Sequence, residues 1–129
     1  MTTITRIRTG VADHIGKYAD AVAVSGGGTQ IFVSGTPGVR EDGTIPEDFS
    51  DEARQCWANV ESALGKAGAK LTDIAYIRQW VTSRDNASAY LAVSKEIIRH
   101  EPAAMFSIID ELVWPNIRVE VEVIAILPA

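Results

Sequence analysis

Cysteine is almost absent from these 129 residues: Cys56 stands alone, so no intramolecular disulfide and no paired-cysteine zinc spacing can form. Histidine is nearly as scarce. His14 and His100 lie far apart with no glutamate at metal-ligating spacing, and no glycine motif opens a helix as a nucleotide cradle would, so neither a metal nor a cofactor is expected. Positive charge is also in short supply. With 12 Lys and Arg against 17 Asp and Glu, the net charge of −5 gives no long-range attraction to a phosphate backbone. Nucleic acid is therefore not an expected partner. No apolar run approaches the roughly 20 residues that span a bilayer, and Met1-Thr2-Thr3-Ile4-Thr5-Arg6 lacks the apolar stretch of a leader. The expectation is a cytoplasmic protein with no membrane partner. Low-complexity tracts and repeats at solenoid periods are missing too, while 47% hydrophobic and 22% charged residues exclude disorder as the main state. The length fits a single domain over residues 1–129.

What is present is a clear alternation of periods. Thr3 to Arg8 alternates polar and apolar as a half-buried strand does, and Ala21–Val24 and Gln30–Ser34 are two further short strands. The intervening Ser25-Gly26-Gly27-Gly28-Thr29 reads as the turn of a hairpin between them. Residues 36–49 carry Pro37, Gly38, Asp42-Gly43 and Pro46 and follow neither period, which marks a loop. Ser50 is the expected N-cap of a helix whose apolar stripe is Ala53, Cys56, Trp57, Val60, Leu64 and Ala67, closed by Gly68. A strand follows over Asp73–Ser83, with Ile74, Tyr76, Arg78, Trp80 and Thr82 on one face. Asp85 or Asn86 caps a second helix with the stripe Ala87, Tyr90, Leu91, Ser94, Ile97 and Ile98, with His100 in its last turn. Ala104–Ile109 and Ile117–Leu127 complete the set, the last with every odd position apolar and the even positions led by Arg118, Glu120 and Glu122.

The element order predicts an α+β layer with both helices on one sheet face. The other face then needs a cover. Tyr76, Trp80, Phe106, Ile108, Ile124 and Ile126 are assigned to it, and an apolar face of that size predicts association of copies. Glu120 and Glu122, two apart on one strand, share a face and fit either an acid–base site or a charged stripe salt-bridged to Arg118 or Arg78. Spacing leaves both readings open. Cys56 sits in the helix stripe and is expected to pack rather than react.

Ordered blocks narrow the choice: Ile15-Gly16-Lys17-Tyr18-Ala19-Asp20-Ala21, Ile31-Phe32-Val33-Ser34-Gly35, Glu52 through Asp73-Ile74, and Val119-Glu120-Val121-Glu122-Val123-Ile124-Ala125. Together they resemble the YjgF/RidA family of reactive enamine and imine deaminases. That resemblance implies a chorismate-mutase-like fold, a homotrimer whose sheets pack inward as a barrel, and small-molecule sites in the clefts between subunits. It further implies Glu120 as the catalytic residue that positions water on a C=N bond, with Tyr18, Ser34 and Gly35 at the substrate. In active deaminases a Pro-Ala-Arg arginine holds the substrate carboxylate, whereas this chain reads Pro102-Ala103-Ala104, and Tyr90 falls where a site asparagine is common. Loss of a guanidinium removes a bidentate, charge-assisted contact. Arg78 or Arg118 is the expected substitute cation, and Trp80 and Tyr90 would suit an aromatic or hydrophobic substrate. The expected function is hydrolytic deamination or tautomerisation of a reactive enamine or imine; the alternative is an inactive trimer that binds a metabolite or a protein.

Overall fold

Asp48 starts the first helix, two residues before the expected Ser50, because its carboxylate accepts the Asp51 amide at 3.1 Å and leaves Phe49 as the first helical residue. This helix, α1 (Phe49–Lys66), ends where Gly68 adopts φ +84°. There the Ala69 and Gly68 amides reach back to the carbonyls of Leu64 and Gly65, satisfying backbone groups that the helix leaves free. Its stripe of Ala53, Cys56, Trp57, Val60 and Leu64 is fully buried. Each large side chain of that set contributes roughly 1.5–3 kcal/mol by leaving water.

The computed structural model describes all residues, Met1–Ala129. Around α1 stand β1 (Thr3–Ile7), β2 (Ala21–Ser25), β3 (Thr29–Pro37), β4 (Ile74–Val81), α2 (Ala87–Ile97), β5 (Ala103–Ile108) and β6 (Val119–Leu127). The main sheet has the order β3-β6-β4-β5, antiparallel except for the β4–β5 pair, whose parallel return is made through α2. Strand β6 is central because its odd residues Val119, Val121, Val123 and Ala125 are buried against the helices.

The expected hairpin between β2 and β3 does not form. Strand β2 pairs instead with β1, Thr3 opposite Ser25, in a separate two-stranded ribbon. Gly26, Gly27 and Gly28 take φ of +88°, +90° and +109°, so three successive left-handed residues carry the chain from the ribbon to the main sheet rather than folding it back. The Thr2 hydroxyl donates to Gly27 and accepts the Ala129 amide, and Arg6 and Arg8 both hold Glu101, which ties the ribbon to the approach of β5.

Two irregularities set the faces of the sheet. A register shift between Ile74 and Tyr76 turns Ile74 inward with Ile77, Gln79 and Val81, against the simple alternation. A second shift between Val33 and Thr36 sets three steps of β3 against two of β6 and bulges the strand at Ser34-Gly35. The open face carries Phe32, Tyr76, Arg78, Trp80, Glu120, Glu122 and Ile124. Phe106 and Ile108 do not belong to it: they register with Gln79 and Val81 on the helix side, where Phe106 stacks on Tyr90 at 5.0 Å. Ile126 is buried as well. The second helix follows a short turn at Arg84–Asn86 capped by Ser83, whose hydroxyl accepts the Asp85 amide, and it stops at Ile97. His100 therefore lies beyond the helix, half-buried, with Nε2 2.9 Å from the Ile74 carbonyl.

Candidate functional site

Glu120, the second residue of β6, stands opposite Trp80 of β4 and Pro37 of β3. The β3 bulge brings Gly35 under its carboxylate, so closely that a Cβ on Gly35 would stand 2.7 Å from Oε2. Partial burial, and secondarily the charge of Glu122, raise the Glu120 carboxyl above the ordinary glutamate value. No basic side chain offsets this: Arg78 is paired with Glu122 at 2.8 Å and lies over the Trp80 ring at 5.4 Å. The two glutamates thus divide: Glu122 forms the salt bridge and Glu120 remains an unpaired proton acceptor.

A side chain at position 35 is accommodated by moving the carboxylate, not the backbone, because Gly35 has no positive φ and the group it would meet is the far end of Glu120. Gly35→Ala is accordingly expected to leave the urea midpoint nearly unchanged while displacing the Glu120 carboxylate, read as a changed Glu120 side-chain NMR shift. An unchanged shift would mean that the Glu120 carboxylate does not rest over Gly35.

Arg118 is not beside Glu120. Its backbone amide donates to Glu52 Oε2 at 2.9 Å, its Nε to Glu52 Oε1 at 2.6 Å, and its Nη2 to the carbonyls of Pro46 and Glu47. Glu52 is fully buried, so this guanidinium is the counter-charge of a helix residue and a clasp on the loop before α1. Tyr90 is also withdrawn from any surface. At 0% exposure it packs on Phe106 and donates its hydroxyl to Gln79 Oε1, with burial raising its pKa well above that of a free phenol. Burial likewise pushes the Cys56 thiol up, and the thiol donates to the Thr36 carbonyl. That is a packing residue in an unreactive state.

Tyr18 and Ala104 lie elsewhere, on a cavity of about 650 Å³ bounded by residues 15–18, α2 and β5. Ala104 registers with the inward-facing Ile77, whereas Glu120 registers with Trp80 on the open face, so the two stand on opposite sides of the sheet. Within one chain, then, Ser34, Gly35, Trp80, Arg78 and Glu120 form one group, and Tyr18 and Ala104 another. Gln79, Ser94 and Lys95, which sequence reasoning passed over, join the second group. Only the register of β4 with β5 and the packing of α2 could reveal them. No cluster of His, Cys, Asp and Glu is arranged to hold a metal ion.

Two helices over one face of a β3-β6-β4-β5 sheet place the chain in the class of α+β proteins with the YjgF/Rid fold. A solved Rid-family protein of unknown function from Yersinia pestis superposes with a TM-score of 0.81 over 98% of both chains at 23% identity. Residues 10–127 match the family described as Endoribonuclease L-PSP, and the chain belongs to that family. The RutC family protein YjgH of Escherichia coli is 30% identical, with 91% of this chain and 86% of that protein covered. A Dermatophagoides farinae protein named 2-iminobutanoate/2-iminopropanoate deaminase is 28% identical over 88% of each chain. No helix is long and apolar enough to cross a membrane.

Proposed function

We propose that this chain is a divergent Rid-type deaminase, folded as one domain, which hydrolyses the C=N bond of a small reactive imine. The observation that carries the reading is Glu120: an unpaired, partly desolvated carboxylate held over Gly35, in a chain of this family. Glu120 takes a proton from water as the water oxygen bonds to the imine carbon and the C=N electron pair moves to nitrogen, to which the protonated Glu120 then returns that proton. The resulting carbinolamine then expels ammonia and leaves a carbonyl. General-base assistance of this kind is commonly worth about 10²–10⁴-fold.

The two groups of site residues lie on opposite faces of one sheet, so they can meet only if copies associate. A homotrimer that buries the open faces would set Glu120 of one subunit toward the Tyr18–Ala104 cavity of the next. Exposed Phe32, with Tyr76, Trp80 and Ile124, supports such burial. The net charge of −5 supports a small-molecule substrate over RNA.

The test offers freshly generated 2-iminobutanoate or 2-aminoacrylate to the purified protein and follows ammonia release. Acceleration over the spontaneous rate is the expected result. Ala104, which lacks the family's guanidinium, favours a second reading, a metabolite-binding trimer without chemistry. A rate equal to the spontaneous one would select it.

A further inference from the structure

Between β5 and β6 the chain carries Val113 and Trp114 into solvent, 80% and 64% exposed. The loop that holds them is anchored on both sides. The Ile109 amide donates to the Val81 carbonyl, the Thr82 amide to the Arg118 carbonyl and the Ile117 amide to the Trp114 carbonyl at 3.0 Å, while the Ile117 side chain is buried. Pro115 fixes a further backbone angle. The indole is therefore held out rather than left loose, and a side chain so held loses little freedom when a partner covers it.

The matching concave feature is the cavity between residues 15–18, α2 and β5, walled by Ile15, Ile77, Leu91, Ile98, Met105 and Phe106. Within one chain the two features stand apart: the cavity flanks Pro102 and Ala104 at the start of β5, and the tip follows the end of that strand. Their charges are opposite. Exposed Asp110 and Glu111 lead into the tip, and none of the six ion pairs engages them. The cavity lining includes Lys17 and Lys95 and no aspartate or glutamate. Attraction between such surfaces depends on their opposite signs and not on where any one ammonium points.

Position adds a third argument. Val119 at the start of β6 registers with Val81, whose carbonyl holds the Ile109 amide, so the tip and Glu120 belong to the same end of the sheet. An association that sets Glu120 of one copy toward the Tyr18–Ala104 cavity of the next therefore carries the tip of that first copy there too.

We propose that the Val113-Trp114 tip of one copy docks in this cavity on the next copy, a knob-and-socket contact that makes Trp114 the aromatic anchor of the association and part of the wall beside Glu120. It rests on the association of copies proposed above and not on the chemistry. The contact joins two different surfaces, so it is heterologous and closes only as a ring.

Sedimentation of the full chain tests the contact without chemistry. Trp114→Ser removes the tip, and Leu91→Glu plants a carboxylate in the wall of the socket. Both positions are exposed in the single chain, so the far-UV circular dichroism should stay native and serve as the control. Each variant is expected to associate at least tenfold more weakly than the unaltered chain, the scale of a central aromatic anchor. An equimolar mixture of the two should associate at least tenfold more tightly than either variant alone, because the Leu91→Glu chain keeps its tip and the Trp114→Ser chain keeps its socket. Association unchanged by either substitution, or a mixture no tighter than its components, would overturn the proposal. So would an unaltered chain that stays monomeric at about 100 μM, which would leave the tip and the cavity to a different partner. Imine hydrolysis by a chain whose association ignores Trp114→Ser would reject the docking and keep the catalytic reading, whereas docking with hydrolysis at the spontaneous rate would do the reverse.

Discussion

Glu120→Gln is expected to lower kcat for imine hydrolysis by about 10²–10⁴-fold with little change in KM, because glutamine keeps the shape but cannot take the proton. The same change should not cost stability. The Glu120 carboxyl titrates above its unfolded value because burial disfavours the charge. The native state therefore binds this proton more tightly than the unfolded chain does. Its contribution to stability is fully present below the ordinary glutamate pKa and is lost as pH rises through the raised native value. At neutral pH the ionised group is a net liability, so the glutamine variant should unfold at an equal or higher urea concentration. In the proposed hydrolysis, kcat/KM should fall toward acid with an apparent pKa raised above the ordinary glutamate value, and Glu120→Gln should remove that limb. A variant that retains full rate would remove Glu120 from the chemistry, and one that loses stability in step with activity would show it to be structural.

Glu52→Ala should produce the largest loss of stability among the charged residues. Glu52 is fully buried and takes two hydrogen bonds from Arg118, one from the backbone and one from the guanidinium. Removing it leaves a cation without its partner and a backbone amide without an acceptor. Breaking a buried pair commonly costs about 3–5 kcal/mol, and the partial exposure of Arg118 argues for the lower end, near 3 kcal/mol. In a chain of this length that corresponds to roughly 10 °C in Tm. Arg118→Met alone strands the opposite charge, and it also frees the carbonyls of Pro46 and Glu47. The combined Glu52→Met, Arg118→Met chain should lose less than the sum of the single changes, since neither charge is then stranded. Additive losses, or a cost below about 1 kcal/mol for Glu52→Ala, would show that the pair does not hold the loop to the sheet.

These two residues mark how far the sequence is legible. The period of β6 separated its faces correctly, because an alternating strand has only two ways to turn and one of them buries Val119, Val121 and Val123. The stripe of α1 was equally legible. Charge gave no comparable guide. Arg78, Arg118, Glu120 and Glu122 offered several pairings, and spacing along one strand says nothing of Glu52, whose carboxylate arrives from α1. The family resemblance singled out Glu120, but not why it is unpaired.

Composition and period by themselves determined an α+β chain, its two helices, its charged strand and its shortage of metal ligands and positive charge. Those follow from local preferences and from the need to bury one face of each element. Tertiary structure decided which of two glutamates stays free, that Tyr90 is core, and that Lys17, Lys95 and Gln79 share a cavity with Ala104. It also decided that β2 pairs with β1, because three glycines at positive φ steer the chain away from the turn that spacing suggested. The physical reason is common to all of these. A bulge, a parallel return through a helix and a buried ion pair are fixed by residues distant in sequence, and local patterning carries no record of them.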